Sequence, residues 1–241
     1  KRFKSEAQKT AALTHSNIVP VIDYGEFEDT PYLVMKYVQG ETLKNSTGNP
    51  MDYHEAAKIL APIAEALGYA HKRGMVHRDV KPANVLFDEN GHVILTDFGI
   101  ARWASGNGLT QEGTTVGTPT YMSPEQAESG NVDGRSDIYS LGVILYELLT
   151  LHAPFEDDGS LSIILKHLHE PPPSITKFVH TTNRSLDAVI QKALAKDENQ
   201  RYQTTEEFLA DLSQAFSEPT VELPRIKSDA LPAQSVPTKN L

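Results

Sequence analysis

The spacing of apolar residues changes along this chain, and the changes divide it into elements. Residues 2–13, rich in Ala, Gln, Lys and Glu, read as a helix. A connector at residues 15–20 follows. Two β-rich runs, 19–24 and 32–37, flank a polar turn around residues 28–31, which is the pattern of a hairpin, and Gly40 reads as a break after it. Residues 52–72 form the strongest helical pattern. Ala56, Leu60, Ile63, Leu67 and Ala70 share one face, Asp52 suits the N-cap with Glu55 three residues on, and Gly74 suits the C-cap. Pro62 lies inside this pattern, removes a backbone donor and is expected to bend the helix. Short strands are predicted at 85–87 and 93–95 around the turn Asp88-Glu89-Asn90-Gly91. From Gly99 to about Pro124 the chain is rich in Gly, Thr and Ser without periodicity, a long loop of the kind that carries function. Helical patterns return near 136–150, 161–169, 185–195 and 204–216. Residues 217–241 hold Pro219, Pro224, Pro232 and Pro237 and no aromatic residue, and read as a disordered Pro-rich linker. The order, a few strands and then mostly helices, indicates an α+β fold.

Composition narrows the function. With 39% hydrophobic residues in 241, the chain can bury a sizeable core. A formal net charge of −10 without any Lys/Arg block repels a phosphate backbone, so no nucleic-acid partner is expected. The absence of Cys excludes disulfides, thiolate metal sites and a cysteine nucleophile, and is compatible with a reducing cytoplasmic setting. The most apolar stretch, residues 138–151, is interrupted by Ser140 and Glu147 and reads as a buried core helix rather than a membrane span. No membrane contact is expected within this stretch of chain, and any anchor would lie outside it.

The candidate chemistry is concentrated between residues 77 and 99. His77-Arg78-Asp79-Val80-Lys81-Pro82-Ala83-Asn84 lies just past a helix end, is placed between two short strands, and reads as a rigid loop. Asp97-Phe98-Gly99 comes 13 residues after Asn84, just past the second strand. Two carboxylates and an amide are thus expected at the mouth of one small hairpin. Mg²⁺ takes oxygen ligands and keeps waters and substrate phosphates for the rest, which suits Asn84 and Asp97 and leaves Asp79 to act on a substrate hydroxyl.

These motifs resemble the protein kinase family. The octapeptide is similar to its catalytic loop, Asp97-Phe98-Gly99 to its metal-binding motif, and Ser123-Pro124-Glu125 to the motif that closes its activation loop. Ser5-Glu6-Ala7-Gln8, Asp79-Val80-Lys81-Pro82-Ala83-Asn84 and Arg135-Ser136-Asp137-Ile138-Tyr139-Ser140-Leu141-Gly142 resemble bacterial kinases of the eukaryotic-like serine/threonine type, over residues 1–216. The resemblance implies a bilobal fold, with residues 1–38 as a partial small lobe and 39–216 as the large lobe. It implies ATP and Mg²⁺ as cofactors and protein substrates. Asp79 is implied as the base that orients the substrate hydroxyl, Lys81 as a neighbour of the transferred phosphate, and Asn84 and Asp97 as metal ligands. Met35 takes the position beside the adenine pocket, Tyr37 and Val38 that of the hinge, and Leu86 lies under the adenine ring; Met35 and Leu86 also read simply as core. His77 reads as structural. Arg78 implies a phosphorylation switch, with Thr110, Thr114 and Thr115 as phosphate carriers and a kinase dimer for autophosphorylation. Thr118 is similar to the substrate-loop threonine. Asp137 is implied as a brace for the catalytic loop, or as a plain acid of a first helical turn, and Arg201 as the partner of Glu125.

Two family features do not appear, the glycine-rich loop and the strand lysine. Glu6 resembles the helix glutamate that pairs with that lysine, which is expected roughly twenty residues earlier and so before residue 1. The expectation is a piece of a longer kinase, poor at binding ATP by itself. The competing readings are a pseudokinase or interaction module, disfavoured by the joint presence of Asp79, Lys81, Asn84 and Asp97, and a small-molecule phosphotransferase, disfavoured by Ser123-Pro124-Glu125 and the threonine-rich loop.

Overall fold

In the computed structural model, residues 2–28, 30–46, 48–98, 119–128, 130–179, 181–182, 184–218 and 221–222 are described. Thr110, Thr114, Thr115 and Thr118 lie outside these residues, as does Gly99. Helix α1 (Arg2–Ala11) is followed by an antiparallel hairpin of β1 (Val21–Phe27) and β2 (Thr30–Met35). The hairpin runs further toward its turn than its sequence suggests. Glu26 pairs with Pro31 and Phe27 with Thr30, and the turn is tightened by Glu28 at φ +46°. Proline is tolerated there because an edge strand spares one donor.

Gly40, read as a break, instead opens a strand. β3 (Gly40–Thr42) pairs with β4 (Val85–Asp88), which pairs with β5 (Val93–Leu95), in a three-stranded antiparallel sheet. A Cβ on Gly40 would stand 1.8 Å from the Phe87 carbonyl oxygen, so only glycine lets the two backbones meet. The connector before β1 is laid against this sheet: Leu95 N donates to Asn17 O (2.8 Å), Val19 N to Leu95 O (3.0 Å), and Asn17 Nδ2 to Val93 O (2.7 Å).

After a short turn, α2 (Leu43–Ser46), comes the long helix α3 (Tyr53–His71). The Asp52 carboxylate accepts from the His54 and Glu55 amides, which satisfies two of the helix's free N-terminal donors. The helix continues through Pro62. Its end is a Schellman turn: Gly74, at φ +71°, donates to His71 O, and Met75 N donates to Ala70 O.

The remaining helices are α4 (Pro124–Ala127), α5 (Gly134–Thr150), α6 (Ser160–His169), α7 (Arg184–Ala193) and α8 (Thr205–Ser217). α5 is buried on nearly every side and packs against α3 and α7, the buried core helix its apolar run predicts. Among the described residues no helix is long and apolar enough to cross a membrane.

The residues after 216 depart from the linker reading at their start. α8 includes Ser217, Glu218 accepts from the Ser185 hydroxyl, and β7 (Val221–Glu222) pairs with β6 (Thr181–Thr182). Main-chain pairing with a distant strand orders these residues without a local hydrophobic signal.

Leu67 has no exposed surface and lies in the main core cluster, in the helix that contacts both α5 and α8. Leu67→Ala is expected to lower unfolding free energy by about 2–5 kcal/mol through lost contacts and a residual cavity, measured by urea titration. A change well under 1 kcal/mol would contradict this packing.

Candidate functional site

The loop from His77 to Asn84 is held from below by one carboxylate. Asp137, 1% exposed in the first turn of α5, accepts from His77 N (Oδ2, 2.8 Å) and Arg78 N (Oδ1, 2.8 Å), and its Oδ2 also meets His71 Nε2 at 2.7 Å. A buried carboxylate needs such donors to offset its lost hydration. Both bland and specific readings of Asp137 hold, since it sits at a helix N-terminus and braces the loop.

His77 is fully buried and joins the loop to the strand end. Its Nε2 lies 2.8 Å from Thr96 O, and its Nδ1 accepts from Asp79 N at 3.2 Å. A carbonyl only accepts, so Nε2 carries the proton and Nδ1 is bare. The ring is therefore neutral, and burial pushes its pKa below the ordinary histidine value despite the opposing pull of Asp137 and other acids. Phe98 packs on the ring, centroids 4.6 Å apart.

Asp79, Lys81 and Asn84 are brought together directly. Lys81 Nζ donates to Asp79 Oδ2 at 2.7 Å, and Asn84 Nδ2 donates to the same oxygen at 3.1 Å and to Asp79 O at 2.8 Å. A single turn of 3₁₀ helix, Pro82–Asn84, makes this reach possible, and Pro82 sets its first residue. Asp97 arrives through the ladder: Val85 pairs with Leu95, and Thr96 N donates to Asn84 O at 2.9 Å. The Asp97 side chain is exposed. With the Asn84 amide nitrogen used toward Asp79, its carbonyl oxygen remains as an acceptor. An amide oxygen and an exposed carboxylate are a donor set suited to a hard divalent cation. Among the described residues no three His, Cys, Asp or Glu side chains are placed to hold a metal ion together.

Arg78 (φ +69°) and Asp97 (φ +60°) both adopt left-handed backbone. Such conformations cost about 1–3 kcal/mol each and persist where surroundings impose them. Both flank the proposed chemistry, a signal the sequence does not display.

The other expected residues are less tightly assembled. The Met35 sulfur accepts from Thr96 Oγ1 at 3.8 Å, which sets the end of β2 beside the residue preceding Asp97. Tyr37 follows between β2 and β3 and is 84% exposed; Val38 is half-buried. Leu86 is half-buried in β4, paired with Thr42 and Ile94. Glu6 lies in α1, but its side chain is outside the described residues.

Two groups near Ser123 complete the frame. Glu125 forms a bidentate ion pair with Arg201, both bonds 2.8 Å, and accepts from the Ser136 hydroxyl. Burial alone would raise the Glu125 pKa, but the guanidinium and the hydroxyl hold it below the ordinary carboxylate value. Gln126, which the sequence reading passed over, donates from Nε2 to Arg78 O at 2.7 Å. A groove of about 630 Å³ runs from Lys81 and Pro82 past Tyr121 and Glu147 to Phe155 and Ile163. The Tyr121 hydroxyl donates to Glu147 across it at 2.6 Å.

The family model for the protein kinase domain matches residues 1–212. Serine/threonine-protein kinase PknB of Mycobacterium leprae is 44% identical over 236 residues, which cover 95% of this chain and 38% of that protein. Serine/threonine-protein kinase PrkC of Bacillus subtilis is 43% identical over 218 residues, covering 90% of this chain and 34% of that protein. The chain thus spans well under half the length of these curated relatives.

The buried groups predict an acid-sensitive fold. His77 and His167 (the latter pushed down to about 4, chiefly by burial and then by Lys196) stay neutral when folded but take up protons when unfolded. Their contribution is complete above about pH 6.5 and is lost as pH falls below it. Glu125, with its depressed pKa, adds a further loss once pH drops below about 4.3. The urea midpoint is expected to fall steadily from pH 7 to pH 5; a flat or rising midpoint would contradict this.

Proposed function

The chain belongs to the protein kinase family, and from that premise we propose that it transfers the γ-phosphate of ATP to serine or threonine hydroxyls of protein substrates. The observation that carries this reading is the Asp79 carboxylate fixed between Lys81 Nζ and Asn84 Nδ2. Both bonds fall on Oδ2, and Oδ1 is given to the substrate hydroxyl, whose proton Asp79 accepts as the oxygen attacks the γ-phosphorus and the bond from that phosphorus to the β-phosphate oxygen breaks, releasing ADP. Lys81, beside that acid, stabilises the negative charge of the phosphoryl group in transit. Phosphoryl transfer asks little covalent work of the protein; alignment and charge neutralisation supply most of the acceleration. Asn84 and Asp97 would hold Mg²⁺, which would supply positive charge to offset that of the ATP phosphates. The backbone of Tyr37 and Val38 receives adenine, with Leu86 beneath the ring. The groove past Tyr121 and Phe155 begins at Lys81 and takes the substrate chain on either side of the acceptor. Domain limits follow the lobes, 1–38 and 39–216.

Regulation follows from Arg78. Phosphorylation of Thr110, Thr114 or Thr115, in a kinase dimer, gives that guanidinium a bidentate partner. Glu6 acts through the small-lobe ion pair of the family. A cytoplasmic catalytic domain fits this use of ATP. The bonded cluster of Asp79, Lys81 and Asn84, with Asp97 at the neighbouring strand end, favours turnover over a pseudokinase.

In the full-length protein, Asp79→Asn is expected to lower the rate of phosphate incorporation from labelled ATP by about 10²–10⁴-fold. An equal rate in the variant would sink the assignment. Removal of divalent cations with a chelator is expected to abolish incorporation and Mg²⁺ to restore it, whereas activity that persists in excess chelator would reject Asn84 and Asp97 as metal ligands.

A further inference from the structure

Gln126 sits where two parts of the molecule meet. It is 5% exposed and lies in α4, the short turn after Ser123. Its Oε1 accepts from Ser123 N at 3.0 Å and from the Ser123 hydroxyl at 3.2 Å, closing a capping box. Its Nε2 reaches away to the Arg78 carbonyl at 2.7 Å. The adjacent Glu125 binds Arg201 in the core. One turn of helix is thereby fastened to the large lobe by Glu125 and to the catalytic loop by Gln126.

The peptide between Arg78 and Asp79 is the last rigid unit before the catalytic carboxylate. Its oxygen accepts a hydrogen bond from Gln126 Nε2, and its N–H donates to His77 Nδ1 at 3.2 Å. A peptide is planar, so holding both ends fixes the plane, and the plane sets the direction in which the Asp79 side chain leaves. Arg78, at φ +69°, is in a conformation that a residue with a Cβ leaves unless it is held.

We propose that Gln126 is a positioning residue for Asp79. It holds the Arg78–Asp79 peptide in the orientation that presents the carboxylate to substrate, and it makes that orientation depend on α4 being seated. When α4 shifts, the donor leaves with it and the peptide is free to rotate. The inference rests on the kinase reading above and adds to it a link from the end of the activation segment to the base.

The test uses Gln126→Glu and Gln126→Leu in the full-length protein. Glu keeps the side-chain shape and an oxygen for Ser123 but, ionised, has no proton for Arg78 O; Leu removes both. Steady-state kinetics, thermal melting and amide hydrogen exchange at Asp79 are measured together. A misplaced catalytic group is expected to lower kcat by about ten- to a hundredfold in both variants. The KM values for ATP and peptide stay within about twofold, melting falls by a few degrees through the lost buried bonds, and the Asp79 amide exchanges faster. A kcat within about twofold of wild type in either folded variant overturns the proposal. So does a loss of kcat matched by a rise in KM in both variants, which marks a merely structural role. If wild type shows no turnover, the kinase reading is what fails; exchange at Asp79 then decides the role of Gln126, with unchanged protection overturning it.

Discussion

The carboxylate of Asp137 is the contact on which the site depends. It is buried in the first turn of a helix that is itself enclosed by other helices, so it has no freedom to follow the loop above it. Three donors, from His71, His77 N and Arg78 N, meet its two oxygens. Removing such a group from water is costly, and charge-assisted bonds of this kind offset the cost only when every lone pair is well used. The loop conformation that satisfies Asp137 is the one in which Arg78 turns left-handed. The strain at Arg78 and the satisfaction of Asp137 are therefore two sides of one arrangement, and the large-lobe core fixes the height and direction of the catalytic loop.

His77 extends that control sideways. Its bare Nδ1 receives the Asp79 amide and its protonated Nε2 meets Thr96 O, so one ring ties the catalytic loop to the strand that leads into Asp97. Were the ring charged, Nδ1 would carry a proton directed at the Asp79 N–H, and that contact would break. The depressed pKa and the structural role have the same cause, which is complete burial. The contact of Thr96 N with Asn84 O then brings the two proposed metal ligands to neighbouring strand ends, and the Met35–Thr96 contact draws the hairpin to the same point.

What could be read from sequence was what local chemistry dictates. Asp52 and Gly74 mark the ends of α3 through their own capping bonds, and the apolar spacing between them gives its buried face. The strand pair at 85–95 shows itself by a turn sequence between apolar residues. The site loop was legible as a set of polar types in order, and the pairing of Arg201 with Glu125 only through resemblance. Contacts made at a distance were not legible. Gly40 looks like a break because its partner, Phe87, lies far along the chain. Val221–Glu222 looks like linker because its order comes from pairing with Thr181–Thr182. Ser123 and Gln126 carry the visible spacing of a capping box, but nothing local reveals that the glutamine's other end reaches Arg78.

These distant contacts also divide the labour of the site. The groups proposed to meet substrate are accessible: the side chain of Asp79 is 46% exposed, and that of Lys81 is 32% exposed. The groups that fix their backbone are not, since His77, Asn84, Gln126 and Asp137 are all 5% exposed or less. Exposed side chains alone would sample several rotamers and blur any alignment with a phosphate. Buried polar groups, each with its partners in place, narrow the choices at the backbone instead. Replacing one of them removes a positioning bond and at the same time leaves a buried donor or acceptor without its partner. The accuracy of these exposed groups is therefore set one layer beneath them, by His77, Gln126 and Asp137, none of which is proposed to touch substrate or metal.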